Sequence, residues 1–136
     1  MNDKEIEIIK KKKMKEMIEK QNSAKTKTRE FAQAILDCEE YKNFIKYTDE
    51  LEKNQTAQDL LKQSQEKQTE LQWNGFNPNT FQELEELQTQ KNKNEVIQNF
   101  QKAQEELTNL LRRTNDIISA EIGAQFAFSQ GGGCCG

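Results

Sequence analysis

The chain has 136 residues, enough for one domain, and a net charge of −3 from 20 basic and 23 acidic side chains. Hydrophobic residues make up 33% and charged residues 32%, which is little apolar material for a self-sufficient core. The absence of histidine excludes histidine-based acid–base catalysis and histidine metal ligands.

The scarcity of helix breakers predicts an all-α protein. There is one proline, Pro78, and three of the six glycines form the run 131–133. No apolar run is long enough to span a bilayer, and the N-terminus has no apolar signal core. Three cysteines without an export signal favour a reducing compartment, so we expect a cytoplasmic protein.

The N-terminal part is strongly basic. Residues 1–29 carry a net charge of +5, which leaves −8 for the rest of the chain. This asymmetry predicts contact with an anionic partner or with an acidic face of another subunit; a solvated, frayed helix is the alternative. We interpret residues 1–22 as a basic helical extension that stops at Asn22-Ser23.

The next apolar residues recur at helical spacing. Phe31 and Ile35 share one face of a helix that runs from about residue 24 to residue 37. The helical spacing continues beyond Cys38 with Phe44, Ile45 and Leu51. The spacing is compatible with a kink, a short turn or uninterrupted helix at the junction near Cys38.

Two threonines are predicted to cap helices. Thr56, with Asp59 three residues later, begins a helix whose second half is polar. The stretch 74–80 contains Asn-Gly and Asn-Pro turn signals, and Thr80 caps the helix that follows it. Two helices around so short a break predict an antiparallel hairpin.

The last helix gives the strongest periodic signal. Apolar residues recur from Val96 to Ile122, after an interruption at residues 92–94, and Gly123 marks the end. The stripes indicate a helical bundle with long antiparallel helices, completed by dimerisation, over residues 23–125. Residues 126–136 are expected to form a flexible tail.

The order of these segments resembles that in the YlbF/YmcA family of bacterial regulators. The matching segments are FAQAIL (31–36), EEYKNF (39–44), AQDLL (57–61), LEEL (84–87) and NEVIQNF (94–100). The resemblance covers about two thirds of the chain, and residues 1–22 depart from the family's usual short start.

The resemblance implies a helical, oligomeric protein. It implies assembly with sister subunits into a complex that steers the endoribonuclease RNase Y, and through it mRNA processing, competence and sporulation. It also implies an iron–sulfur cluster held by cysteines near the tail, which here are Cys134 and Cys135.

The cysteines provide the sharpest candidate chemistry. Thiolates are the ligands that soft metals and iron–sulfur clusters prefer, but a cluster usually takes four, so Cys134 and Cys135 need another chain to complete a site. Cys38 is interpreted as a small core residue. A tail with exposed thiols and no metal is the alternative.

Trp73, Phe76 and Phe81 surround the predicted turn. They either staple the helical hairpin or form a partner-binding patch, because aromatic residues are favoured interface anchors. Paired acids such as Glu85-Glu86 are interpreted as a solvated helix face.

These patterns favour a regulatory adaptor that binds proteins and is not an enzyme. One alternative is a metal- or redox-responsive protein that uses the tail cysteines. Another is an RNA-binding module, although the absence of aromatic residues before Phe31 argues against base stacking by the head.

Overall fold

The computed structural model describes residues 2–127, and across that range the chain forms five α-helices and no strand. The helices are α1 (Asp3–Asp37), α2 (Glu39–Lys53), α3 (Gln55–Asn74), α4 (Pro78–Lys93) and α5 (Glu95–Ile122). The predicted all-α fold is confirmed. Within the same range, no helix combines the length and the apolar character needed to cross a membrane.

The chain divides into two compact units between Cys38 and Glu39, and the first unit contains α1. Asn2 caps this helix. Its side-chain oxygen accepts a hydrogen bond from the Glu5 backbone amide (3.0 Å), and the Glu5 carboxylate accepts one from the Asn2 backbone amide (3.1 Å). The helix ends where Cys38 adopts an extended conformation (φ −68°, ψ 146°), so the break predicted as one possibility near Cys38 is present.

The stop predicted at Asn22-Ser23 is wrong, because α1 continues through both residues. Asparagine and serine are only mildly unfavourable inside a helix, and neither proline nor glycine stands nearby to force an end. The Thr26 hydroxyl donates to the Asn22 carbonyl at 3.0 Å. This spacing of four residues is that of a helical turn, and Asn22 lies within the helix.

The second unit is a long antiparallel hairpin with a break in each arm. One arm consists of α2 and α3, which are separated by Asn54 alone, and the other consists of α4 and α5, which are separated by Asn94 alone. α2 packs along α5 and α3 packs along α4. The predicted hairpin around residues 74–80 and the predicted interruption at residues 92–94 are both confirmed.

The break at Asn54 is closed by two side chains. The Asn54 side-chain oxygen accepts a hydrogen bond from the Ala57 amide at 2.8 Å, which caps α3. The Gln58 side-chain amide reaches back and donates to the Leu51 carbonyl at 2.9 Å. The carbonyl groups that lose their helical partners at the end of α2 therefore gain one replacement.

The break at Asn94 repeats this arrangement in the other arm. The Asn94 side chain accepts from the Ile97 amide at 3.0 Å, and the Gln98 side-chain amide donates to the Asn92 carbonyl. In both arms, then, an asparagine caps the new helix and a glutamine four residues later bonds back across the break.

The two predicted threonine caps are wrong. Thr56 lies inside α3, and Thr80 lies inside α4, whose cap is Asn77, which accepts from the Asn79 amide at 2.9 Å. Pro78 decides the second case, because its fixed backbone angle and missing amide suit the first helical position. Asparagine and threonine both cap well, so residue type alone did not select between them.

The apolar core lies at the level of the two breaks. It consists of Leu51, Ala57, Leu60, Leu87 and Ile97, with Leu61, Val96 and Phe100 packed against it. Phe44 extends this contact along α2 and α5, with its ring centroid 5.9 Å from that of Phe100. Only six apolar residues of the described range are buried, so the core is small.

Truncation of Ile97, which is 1% exposed, tests the position of this core. We expect Ile97→Ala to lower the free energy of unfolding by about 2–5 kcal/mol, because it removes apolar burial and leaves a cavity. Urea unfolding followed by circular dichroism measures the change. Ile8→Ala is the matched control, since Ile8 is 66% exposed and its truncation should cost less than about 0.5 kcal/mol. Equal losses in the two variants would contradict this core.

Replacement of Asn54 tests the assignment of the cap. Asn54→Ala should cost about 1 kcal/mol in the same unfolding experiment, because the Ala57 amide loses its acceptor. Thr56→Ala should leave the free energy of unfolding almost unchanged. A larger loss in the Thr56 variant would instead place the cap at that residue.

Candidate protein-binding surface

The turn between α3 and α4 forms an uncharged tip. Gly75 ends α3 with a positive φ of 78°, which residues with a side chain rarely adopt, and Asn77 caps α4 two residues later. We call residues 71–82 the tip. These residues include no Asp, Glu, Lys or Arg, although 32% of the chain is charged.

Three aromatic residues of the tip face solvent. Trp73 is 79% exposed, Phe76 is 75% exposed and Phe81 is 42% exposed. The Phe76 and Phe81 rings contact each other, with centroids 5.7 Å apart. Phe76 directly precedes the cap of α4 and Phe81 lies within α4, so this contact fixes the start of α4 and does not join α3 to α4. Trp73 lies too far in solvent to hold the hairpin together.

Charged side chains brace the hairpin beside the tip. The Lys67 ammonium group contacts the Glu83 carboxylate at 2.5 Å and the Glu70 carboxylate at 3.4 Å. The hydrogen bond to Glu83, joined by that to Glu70, raises the pKa of Lys67 above its usual value, so the lysine stays charged. Glu70 also accepts the Thr80 hydroxyl at 3.2 Å, which adds a second link between α3 and α4.

Acidic side chains outnumber the bases around the tip. Glu85 and Glu86 are exposed, as the interpretation of these paired acids as a solvated face expected. Lys67 is occupied by two carboxylates, and the Lys62 ammonium group lies 4.0 Å from the Glu66 carboxylate. The aromatic tip therefore has an acidic collar, which disfavours insertion into an anionic membrane surface.

Sequence reasoning identified the three aromatic residues but missed the brace. Lys67 and Glu83 lie eight residues before and after Gly75, so a hairpin centred on the turn places them opposite each other. The lack of charge across residues 71–82 was also visible in the sequence and would have marked the whole tip rather than its aromatic residues alone.

A second set of exposed apolar side chains lies along the second half of α5. Its members Leu111, Ile117 and Ile122 are exposed, and so is Phe126 beyond the helix. With 28 residues α5 is about 42 Å long, whereas α2 with 15 residues is about 22 Å long, so α2 is too short to cover the whole of α5.

The chain turns back after α5. The helix ends at Gly123, as predicted, and Gly123 adopts the left-handed conformation (φ 67°). The Phe126 amide then donates to the Ser119 hydroxyl at 3.0 Å, and the Ala127 amide donates to the Asn115 side chain at 2.9 Å. These bonds hold residues 126–127 against the last turns of α5.

The predicted metal site lies outside the described residues, since Cys134 and Cys135 both follow residue 127. Between residues 2 and 127, no group of three or more potential ligands is close enough to hold a metal ion. Cys38 is only partly buried and its thiol donates to the Ala34 carbonyl at 3.2 Å. Its prediction as a core residue is wrong, because it stands where the helix ends.

Trp73 is the only tryptophan of the chain, so its fluorescence reports on the tip alone. Because the side chain is 79% exposed, we expect emission at long wavelength and free quenching by acrylamide in the unbound protein. Urea should shift this emission little further. Short-wavelength emission that resists quenching, and that urea then shifts, would show that Trp73 is buried.

Comparison with known proteins identifies the family. A family model described as control of competence regulator ComK, YlbF/YmcA, matches residues 24–123. Searches of curated proteins and of solved structures found no match. The matched stretch begins in the second half of α1 and ends at the residue that closes α5, so it includes the entire braced hairpin. The chain belongs to the YlbF/YmcA family, a family of competence regulators.

Proposed function

We propose that this protein is a non-catalytic regulatory adaptor that acts by binding other proteins. The observation that supports this most is the uncharged tip with Trp73 and Phe76 in solvent. Large aromatic side chains dominate the energetics of protein interfaces when a partner covers them. Large contiguous apolar patches are rare on soluble monomers and mark interaction sites where they occur.

The tip suits this role because it is held in place before binding. The Lys67 contacts join α3 to α4 and the Phe76–Phe81 pair fixes the start of α4, so little free energy would be lost in ordering the tip for a partner. The acidic collar complements a partner with an apolar pocket and a basic rim.

Dimerisation belongs to the same proposal. The core buries six apolar residues of the described range, whereas Leu111, Ile117 and Ile122 stay exposed on α5. A second copy of the chain that packs against the end of α5 would bury these side chains and so extend the small core. Because only the folded chain would bind, dimerisation would stabilise it by mass action. The tip remains free for other subunits in such a dimer.

The proposed partners are suggested by the resemblance to the family. Its members are described as competence regulators. By resemblance to that family, we propose that this chain joins sister subunits in a cytoplasmic complex that modulates RNase Y-dependent mRNA processing.

The double variant Trp73→Ala/Phe76→Ala tests the role of the tip. We expect it to weaken binding of the sister subunits or of RNase Y, in co-purification from the native host, by at least about 30-fold, because hot-spot residues contribute about 2 kcal/mol or more. Stability should fall by only about 1 kcal/mol, because both side chains are exposed and the Phe76–Phe81 contact is the one aromatic contact of the tip that is lost.

Ile117→Glu is the matched control on the other apolar surface. It should weaken dimerisation, measured by light scattering, and leave binding through the tip intact. Full partner binding by the tip variant would contradict the assignment of the tip. Absence of both RNase Y and sister subunits from the wild-type sample would contradict the proposed complex.

A further inference from the structure

One face of α1 has the spacing of a coiled-coil seam. Between residues 14 and 35, seven positions alternate at intervals of three and four, and none of them is charged. The seam consists of Met14, Met17, Gln21, Ala24, Thr28, Phe31 and Ile35. We call it the α1 seam.

The α1 seam has no cover over most of its length. No residue of α1 is buried, and Met17 is 61% exposed. The Thr28 hydroxyl is already bonded to the Ala24 carbonyl at 2.7 Å, so this seam position needs no polar partner. A helix of 35 residues, about 52 Å long, gains most of its stability by packing such a face.

The positions that flank the seam carry one sign of charge. Between residues 11 and 34 the flanks contain five lysines and no acid. These lysines are Lys11, Lys13, Lys20, Lys25 and Lys27. The acids of this part of α1, Glu16, Glu19 and Glu30, lie outside the flanks.

Two ion pairs within α1 do not neutralise these flanks. The Lys11 ammonium group lies 2.9 Å from the Glu7 carboxylate, and that of Lys27 lies 3.1 Å from the Glu30 carboxylate. Both pairs are largely exposed and join residues three or four apart, a kind of pair that contributes little and yields readily to a better partner.

Such flanks oppose the pairing of α1 with itself. The seam has one flank on each side. In a parallel pair of α1 helices, each flank of one helix meets the opposite flank of the other, and in an antiparallel pair it meets the same flank. Lysines face lysines in both cases, because both flanks carry lysines and no acid. We infer that α1 is one strand of a heterotypic coiled coil, and that its partner is a helix of another protein with acidic residues along both edges of its seam. This rests on the proposed function only in that the chain binds proteins, and it uses a different surface from the tip.

Two synthetic peptides long enough to cover the α1 seam test the inference on the full-length chain. They share one apolar seam and one outer face, and carry glutamate at every flanking position in one peptide and lysine in the other. The glutamate peptide should bind, with an affinity that falls as salt rises, and the lysine peptide should not. Calorimetry measures both affinities.

A charge reversal gives the sharper result. Lys13→Glu/Lys20→Glu/Lys27→Glu should weaken binding of the glutamate peptide by at least about tenfold and create binding of the lysine peptide. The matched control, Lys12→Glu/Lys15→Glu/Arg29→Glu, makes the same change of charge on the outer face and should keep the wild-type preference. Trp73→Ala/Phe76→Ala should keep the wild-type behaviour: it should bind the glutamate peptide and not the lysine peptide. This result separates the inference from the role of the tip.

Several results would overturn the inference. Equal binding of both peptides would show that charge does not select the partner, and binding of neither would show that the seam is not a docking face. Equal peptide preferences of the two triple variants would show that the flanking lysines do not select the partner. Capture of a single-stranded RNA oligonucleotide by α1, without binding of the glutamate peptide, would assign the lysines to nucleic acid instead.

Discussion

The apolar contact between the two broken arms is the feature on which the rest of the structure depends. Leu51 and Leu60 lie on either side of the break in one arm, and Leu87 and Ile97 lie on either side of the break in the other. Because both breaks contribute to one cluster, a single core joins all four helices of the second unit.

The small core leaves exposed apolar side chains at both ends of the second unit. The tip extends from one end of the core, and the exposed residues of α5 lie beyond its other end. The chain thus uses its limited apolar content in two ways: a minority stabilises the hairpin, and a majority of the large side chains stays accessible. Such a division suits a protein whose burial is completed by partners.

The helices themselves could be predicted from local signals. The apolar stripe from Val96 to Ile122 is long enough to define α5, and Gly75 with Pro78 marks the turn of the hairpin. Helix starts were less accessible, since Asn54 and Asn77 compete with Thr56 and Thr80 as caps of similar strength. The apparent stop at Asn22-Ser23 failed because its penalty is small beside the preference of its neighbours for helix.

The candidate site was predictable only in part. Aromatic residues near a turn predict either packing or recognition, and the choice depends on where α3 ends, which places Trp73 in solvent. The Lys67–Glu83 contact depends on the register of two helices, a tertiary property that periodicity along one helix does not contain. The register of the hairpin in turn follows from the turn at Gly75.

The native mass of the protein in gently lysed cells of its host tests the central claim most directly. We expect other chains to cover the exposed apolar side chains at the concentration present in the host. The protein should therefore elute from a sizing column with a light-scattering mass of at least two chains, together with further subunits. Elution as a single species of 15.9 kDa at every concentration, with no other protein in the same fractions, would contradict this expectation.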